Sequence, residues 1–228
     1  MNLENITLVI TAVINLIMSV LVLLRGQKNK ANTYFSIMTF FVFIWAMTLL
    51  LARTAIDLAW LSFWDRSTYV MAIAIIISLL YFVVYFPYQS NTLKKIEKIL
   101  IWIPAIVLTV LIYTKFFITG FAVGDRYTYI SYFYKPFFIF YAIYFIMIVV
   151  MAIYRLWRKY INAEIIFKKQ LKWLLLVFIV CLAFGFYIDL VLEYMGNFNY
   201  IWLGPVPTVI MNITVFYFIY SSRDKIHG

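Results

Sequence analysis

The sequence is poor in the side chains that build most catalytic centres. It contains one histidine, His227, next to the last residue, and one cysteine, Cys181, inside an apolar run. Metal sites and general acid–base sites need several His, Cys, Asp or Glu side chains within reach of one another. The chain also lacks a glycine-rich phosphate loop, a Walker lysine and a nucleophile elbow. We therefore expect no metal, no cofactor and no enzyme activity in this chain alone.

Charged residues are also scarce, at 12% of the chain, whereas 66% of the residues are apolar. No water-soluble fold could hide that much apolar surface. A membrane-spanning helix needs about 20 apolar residues, and seven runs approach this length. They cover residues 4–24, 33–52, 67–87, 99–117, 136–154, 173–192 and 203–220. The sequence thus predicts an all-α integral membrane protein: a seven-helix transmembrane bundle in residues 1–220, followed by a short tail, 221–228.

The positions of the basic residues predict the orientation of this bundle. The net charge of +10 would indicate nucleic acid in a soluble protein, but here the lipid bilayer is the expected partner and nucleic acid is not. Cytoplasmic loops are enriched in Lys and Arg. The first, third and fifth links and the tail hold 14 of the 19 basic residues, and the other five lie on the opposite side. We therefore expect the N-terminus outside and the C-terminus in the cytoplasm.

Two segments outside the apolar runs also carry local patterns. In the longest outer link, residues 118–135, Gly124 and Asp125 offer a turn and the following residues alternate as in a strand. This pattern predicts a short hairpin or lid, and an interfacial patch of tyrosines is the alternative. The segment GPVP, residues 204–207, is typical of a helix start, with a hinge as the functional alternative.

Four ionisable residues near the outer helix ends form the candidate site. Asp189 and Glu193 are spaced i, i+4, so they share a helix face and repel each other unless a cation or a proton intervenes. A charge placed about one turn inside the boundary costs about 2 to 3 kcal/mol, which favours the bundle interior and a basic partner. We predict that Arg66 is this partner of Asp189, with Arg53 as the second choice.

The pocket beside these charges is predicted to be lined by aromatic side chains, and to accept a small or amphipathic ligand from outside or from the lipid. An alternative is that the charges only lock adjacent helices. Trp60 and Trp64 also fit a role as interfacial anchors. The predicted aromatic lining consists of Trp45, Trp60, Trp64 and Tyr69.

Several stretches, spread in order over nearly the whole chain, resemble a known family. They are NKANTYFSIMTFFVFIWAMTLLL (29–51), FWDRSTY (63–69), YFVVYFP (81–87), KKQLKWLLL (168–176) and LGPVPT (203–208). Together they resemble the N-terminal seven-transmembrane sensor region of bacterial histidine kinases. The resemblance implies a bacterial plasma-membrane location, a homodimer and a cytoplasmic kinase or other output domain as partner.

Members of that family usually continue into a phosphoacceptor helix and an ATP-binding domain. This chain ends eight residues after Tyr220, so we expect either the sensor portion of a longer kinase or a stand-alone relative. The resulting hypothesis is an input module that detects a signal at its outer half and relays it through the seventh helix. A small transporter or permease component, or an assembly subunit whose basic loops hold a partner or anionic lipid, remains the alternative.

Overall fold

The described part of the chain folds into long helices that pack as a bundle, together with a two-stranded sheet. The structure is a computed structural model, and it describes residues 2–25, 29–88, 92–123 and 129–221. The helices are α1 (Leu3–Arg25), α2 (Lys30–Thr54), α3 (Leu58–Tyr85), α4 (Lys95–Ile112), α5 (Lys135–Ile161), α6 (Ile165–Phe186) and α7 (Val206–Ser221). A π-helical segment (Tyr187–Leu192) continues α6, and a 3₁₀ turn (Ile201–Leu203) precedes α7.

Six helical stretches in the described residues are long and apolar enough to cross a membrane. They are Leu3–Leu24, Lys30–Thr54, Leu58–Tyr85, Lys135–Ile161, Phe167–Leu192 and Ile201–Ile219. The remaining helix, α4, has 18 residues, and its first turn contains Lys95, Glu97 and Lys98. It ends at Ile112 instead of continuing to residue 117 as predicted, because the chain there turns towards the sheet.

The helices form a closed ring of neighbours. In this ring α1 packs on α2, α2 on α3, α3 on α5, α5 on α6, α6 on α7 and α7 again on α1. The fourth helix packs against α3 and α5. The third helix contacts α2, α4 and α5, and it is the most buried of the six long apolar helices.

Buried polar side chains join α1 to both of its neighbours. Ser19 and Ser36 each donate a hydrogen bond to the other's carbonyl oxygen at 2.8 Å, which ties α1 to α2. On the other side, the Asn212 amide donates to the Asn15 side-chain oxygen at 2.6 Å and ties α1 to α7. Such hydrogen bonds hold helices together where the surroundings offer no hydrophobic driving force.

The predicted hairpin is present as strands β1 (Ile118–Val123) and β2 (Tyr129–Phe133), which pair antiparallel. Its turn residues, Gly124 and Asp125, lie outside the described residues, as do residues 222–228 of the predicted tail. The Ser131 hydroxyl donates to the Asp65 carboxylate of α3 at 2.8 Å, and both side chains are buried. The hairpin is thereby attached to the central helix.

The side chain of Lys159 on α5 binds the carbonyl groups at the end of α3. Sequence reasoning counted this lysine in a basic loop, but it lies within α5 and is only 4% exposed. The last carbonyl groups of a helix have no partner within the helix, and the ammonium group of Lys159 supplies one. Its Nζ lies 2.7, 2.9, 2.8 and 2.8 Å from the carbonyl oxygens of Val83, Val84, Phe86 and Tyr88, respectively.

Replacing Lys159 with methionine should destabilise the fold by about 2 to 4 kcal/mol, because buried carbonyl groups lose a charged donor. The matched control is Lys168→Met, which removes an exposed lysine whose ammonium lies 5.9 Å from the Tyr160 ring centroid. Thermal unfolding of the purified protein in detergent gives the comparison. Equal unfolding temperatures for the two variants would contradict the assignment.

Candidate functional site

A cavity of about 80 Å³ lies among α2, α3, α5, α6 and the start of α7. Its walls are mainly apolar and aromatic. Among the described residues its lining includes two carboxylates and no lysine or arginine. The side chains that determine its chemistry are Trp45, Thr68, Tyr69, Tyr141, Asp189 and Glu193.

Glu193 is the more constrained of the two carboxylates. It is 4% exposed, and the Tyr69 hydroxyl donates to its Oε2 at 2.9 Å. Tyr69 is itself held edge-to-face against Tyr141, with ring centroids 5.7 Å apart. Because a hydrogen bond to a carboxylate is stronger than one between neutral groups, this contact fixes the Glu193 side chain in the wall of the cavity.

A cluster of aromatic rings connects the cavity to the hairpin. Tyr69 packs edge-to-face on Phe117 and Phe133, at centroid distances of 5.2 and 5.7 Å. Phe133 is the last residue of β2, so the strand places its ring directly against the tyrosine that holds Glu193. A change in the hairpin would therefore reach the cavity through contacting rings.

Asp189 lies in the π-helical segment that continues α6. Its Oδ1 is buried, and no hydrogen-bond donor within the described part of the chain reaches it. Buried polar atoms are nearly always paired, and short π-helical segments frequently occur at functional sites. The orphaned oxygen therefore marks a position where a ligand, a proton or water would complete the site.

The Asp189 carboxylate also touches the backbone that leads into α7. A Cβ atom added to Gly204 would lie 2.6 Å from Oδ2 and 2.8 Å from Cγ of Asp189. The backbone of Gly204 is ordinary helical (φ −51°, ψ −49°), so lack of space, not backbone strain, requires glycine here. Since α7 begins at Val206, Asp189 lies both on the cavity and against the start of the last helix.

Four of the eight predicted site residues line this cavity: Trp45, Tyr69, Asp189 and Glu193. Trp60 and Trp64 do not. They stack on each other at 6.2 Å, and Trp60 is 59% exposed. Tyr69 follows Trp60 by nine residues, or about two and a half helical turns, so the two side chains point to opposite sides of α3. The prediction that both tryptophans line the pocket is therefore wrong.

The predicted pair between Asp189 and Arg66 is also absent. The Arg66 guanidinium donates to the carbonyl oxygens of Ile112, Thr114 and Ile118, the last at 2.8 Å. Ile112 is the last residue of α4, where carbonyl groups lack helical partners, Thr114 lies just beyond it, and Ile118 is the first residue of β1. A planar group with five N–H donors can satisfy several of them at once, which explains why Arg66 lies there and not at the carboxylate.

Arg53, the second predicted partner, forms an ion pair with Glu4 of α1 and donates to Asn5 at 3.3 Å. It therefore links α2 to α1 and does not reach Oδ1 of Asp189. The sequence placed Glu4 only at the edge of an apolar run. A carboxylate at the beginning of α1 and an arginine in the last turn of α2 lie at the same end of an antiparallel helix pair, and this relation could have indicated the contact.

Two contacts at the site were missed by sequence reasoning. Asp65 lies next to Arg66, and its bond to Ser131 could not be inferred because strand register decides which hairpin residue meets α3. Gly204 was interpreted only as part of a helix start. The GPVP segment did indicate a special backbone position, but its contact with Asp189 depends on how α6 and α7 pack.

Comparison with known families supports the resemblance noted in the sequence. The family model described as the N-terminal 7TM region of histidine kinase matches residues 7–224. No curated protein and no solved structure matches the chain. The family match confirms the resemblance and, with six long apolar helices, indicates a multi-pass protein of the bacterial plasma membrane. The chain belongs to the family of N-terminal seven-transmembrane regions of histidine kinases, which are sensor modules.

Proposed function

We propose that the chain is a sensor input module that binds a small or amphipathic signal in this cavity and relays its presence through α7. The output would be a cytoplasmic kinase domain or partner protein, and the working unit a homodimer. One observation carries the proposal: the Asp189 carboxylate both lines the cavity and contacts Gly204 at the start of α7. Occupancy of the cavity and the position of the last helix therefore share one side chain.

The lining favours a particular class of signal. Two carboxylates without a basic side chain in the described lining suit a ligand with a positive charge or several N–H donors. Trp45 and Tyr69 add aromatic faces, which attract cations. The cavity volume of about 80 Å³ suits a group of a few non-hydrogen atoms, such as a small ammonium compound or the charged tip of a longer amphipathic molecule.

A relay requires that the ligand have different affinities for two arrangements of the helices. A donor that bonds to Oδ1 of Asp189 would compete with the present position of the carboxylate against Gly204. Moving the carboxylate would free space beside Gly204, into which the start of α7 could shift. The buried Asn15–Asn212 bond connects α7 to α1, so the shift would also involve the first helix.

The proposal includes seven crossings with α4 as one of them, the N-terminus outside and the C-terminus in the cytoplasm. Its support is the distribution of basic residues. In this arrangement the hairpin and the cavity lie towards the outer side, where a signal can arrive, and α7 ends on the cytoplasmic side.

The topology can be tested with single cysteines in a Cys181→Ser background. Lys98→Cys places an exposed thiol in the first turn of α4, and Lys115→Cys places one shortly after its end. In intact cells a membrane-impermeant maleimide should label position 115, whereas position 98 should be labelled only after permeabilisation. Labelling of both positions in intact cells would contradict a crossing by α4, and the reverse pattern would contradict the orientation.

Charge removal should weaken ligand binding without unfolding the protein. Asp189→Asn and Glu193→Gln preserve volume, and each should reduce the affinity for methylammonium about tenfold, since hydrogen bonds to charged groups are stronger than neutral ones. Glu164→Gln, which changes an exposed glutamate, is the control. Ligand-induced thermal stabilisation measures the affinity. If all three variants bind methylammonium as tightly as the unchanged protein, the cavity is not its site.

The contact with Gly204 gives an independent test. Gly204→Ala should destabilise the protein by about 1 to 3 kcal/mol because the added methyl group overlaps the Asp189 carboxylate. Gly185→Ala is the control, since a Cβ there lies 3.8 Å from the same carboxylate. Adding Asp189→Ala to Gly204→Ala should recover most of the lost stability in thermal unfolding. Failure of this recovery would refute the steric coupling.

A further inference from the structure

A second, larger cavity lies at the other end of α3 from the hairpin. It has a volume of about 450 Å³ and opens between the beginning of α4 and the last turns of α5. We refer to it as the α4–α5 cleft. Its ionisable and aromatic lining includes Lys94, Glu97, Tyr154, Arg155, Arg158 and Lys159.

The α4–α5 cleft is strongly basic. Four of its side chains are cationic, and Glu97 is the one carboxylate among the described lining residues. Glu97 pairs with Arg155 at 2.6 Å. The ammonium of Lys159 meets four neutral carbonyl groups and no carboxylate in the described chain. The cleft therefore keeps a net positive charge that its own lining does not neutralise.

Arg158 and Lys94 are the cations most available to a ligand. Both are exposed, and within the described ranges neither forms an ion pair. The Arg158 guanidinium lies over the Tyr154 ring, 6.0 Å from its centroid, which restricts its orientation. Arg155 lies three residues before Arg158, so both guanidinium groups project from the same side of α5.

The beginning of α4 adds backbone donors to these side chains. Lys94 lies at the N-cap of α4, and its N–H donates to the Glu97 carboxylate at 2.6 Å. Helix N-termini favour anions because their first N–H groups are unpaired and the helix dipole is positive there. A carboxylate already uses one of these donors, so the local geometry accommodates an anionic oxygen.

We propose that the α4–α5 cleft binds a phosphate group, and that the headgroup of an anionic phospholipid supplies it. Guanidinium groups bind phosphate oxygens with paired N–H donors, and basic pockets between membrane helices bind acidic lipid headgroups. Tyr154 and Trp157 are half exposed on the same helix and are residue types enriched at the membrane–water interface. The site is independent of the sensor cavity, because no residue lines both.

The test uses the full chain in detergent micelles, titrated with short-chain phosphatidylglycerol, short-chain phosphatidylcholine or inorganic phosphate. Native mass spectrometry counts bound lipid. We expect phosphatidylglycerol to bind in preference to phosphatidylcholine. Arg158→Gln should weaken phosphatidylglycerol binding about fivefold, the effect of one interfacial basic residue. Glu97→Gln should strengthen it, because Arg155 would be released to the ligand.

Lys168→Gln is the matched control, since it also removes one exposed cation that lies over a tyrosine ring, at 5.9 Å from Tyr160. It does not line the cleft and should leave lipid binding unchanged. Equal weakening by Arg158→Gln and Lys168→Gln would overturn the proposal, as would equal binding of the two lipids. A further outcome is that millimolar inorganic phosphate displaces phosphatidylglycerol from the unchanged protein but not from Arg158→Gln. That result would support the phosphate site and identify soluble phosphate as its ligand.

Discussion

The structure depends on how helix ends are satisfied where little water is available. The last carbonyl groups of each helix lack partners within the helix, and leaving them unpaired in apolar surroundings costs several kcal/mol. At the end of α3 the partner is Lys159 of α5, and at the end of α4 it is Arg66 of α3. Each of these two basic residues belongs to a different helix from the one whose carbonyl groups it binds. The same contacts that satisfy the backbone therefore also fix α3, α4 and α5 relative to one another.

Because Arg66 binds backbone carbonyl groups, Asp189 has no cationic partner among the described residues. Pairing Arg66 with Asp189 would remove its donors from the carbonyl groups at the end of α4. Arg53 is engaged by Glu4 on the first helix. Glu193 receives a hydroxyl donor from Tyr69, whereas Oδ1 of Asp189 receives none in the described structure. Two buried side-chain oxygens of the described structure thus lack a hydrogen-bond donor, Oδ1 of Asn212 and Oδ1 of Asp189, and the latter lies next to a cavity and the start of α7.

Apolar periodicity and turn chemistry predicted much of the architecture. The span 4–24 matches α1, the span 136–154 predicted α5 except for its last seven residues, and the alternation after Gly124 predicted the hairpin correctly. The shared face of Asp189 and Glu193 follows from spacing alone, and both carboxylates line one cavity. These features are local, so a single sequence contains them.

The groups that each of these side chains contacts could not be predicted in the same way. An arginine near an acid in the sequence can equally bind backbone carbonyl groups, and the choice depends on where α4 ends. Trp60 and Trp64 were assigned by proximity along the chain, although helix rotation directs them away from Tyr69. Lys159 resembles any other basic loop residue until the end of α3 lies beside it. Each error concerns a long-range contact that is determined by helix packing.

The short length of α4 has a consequence for the surrounding lipid. Its 18 residues correspond to about 27 Å along the axis, whereas a hydrocarbon core is about 30 Å thick. The 28 residues of α3 are longer than this thickness, and α3 can match it by tilting, whereas the shorter α4 cannot. As a membrane crossing, α4 would thin the lipid on its own side of the bundle, at a cost that rises with bilayer thickness. The thickness of the host membrane would then affect the balance between helix arrangements even without any ligand.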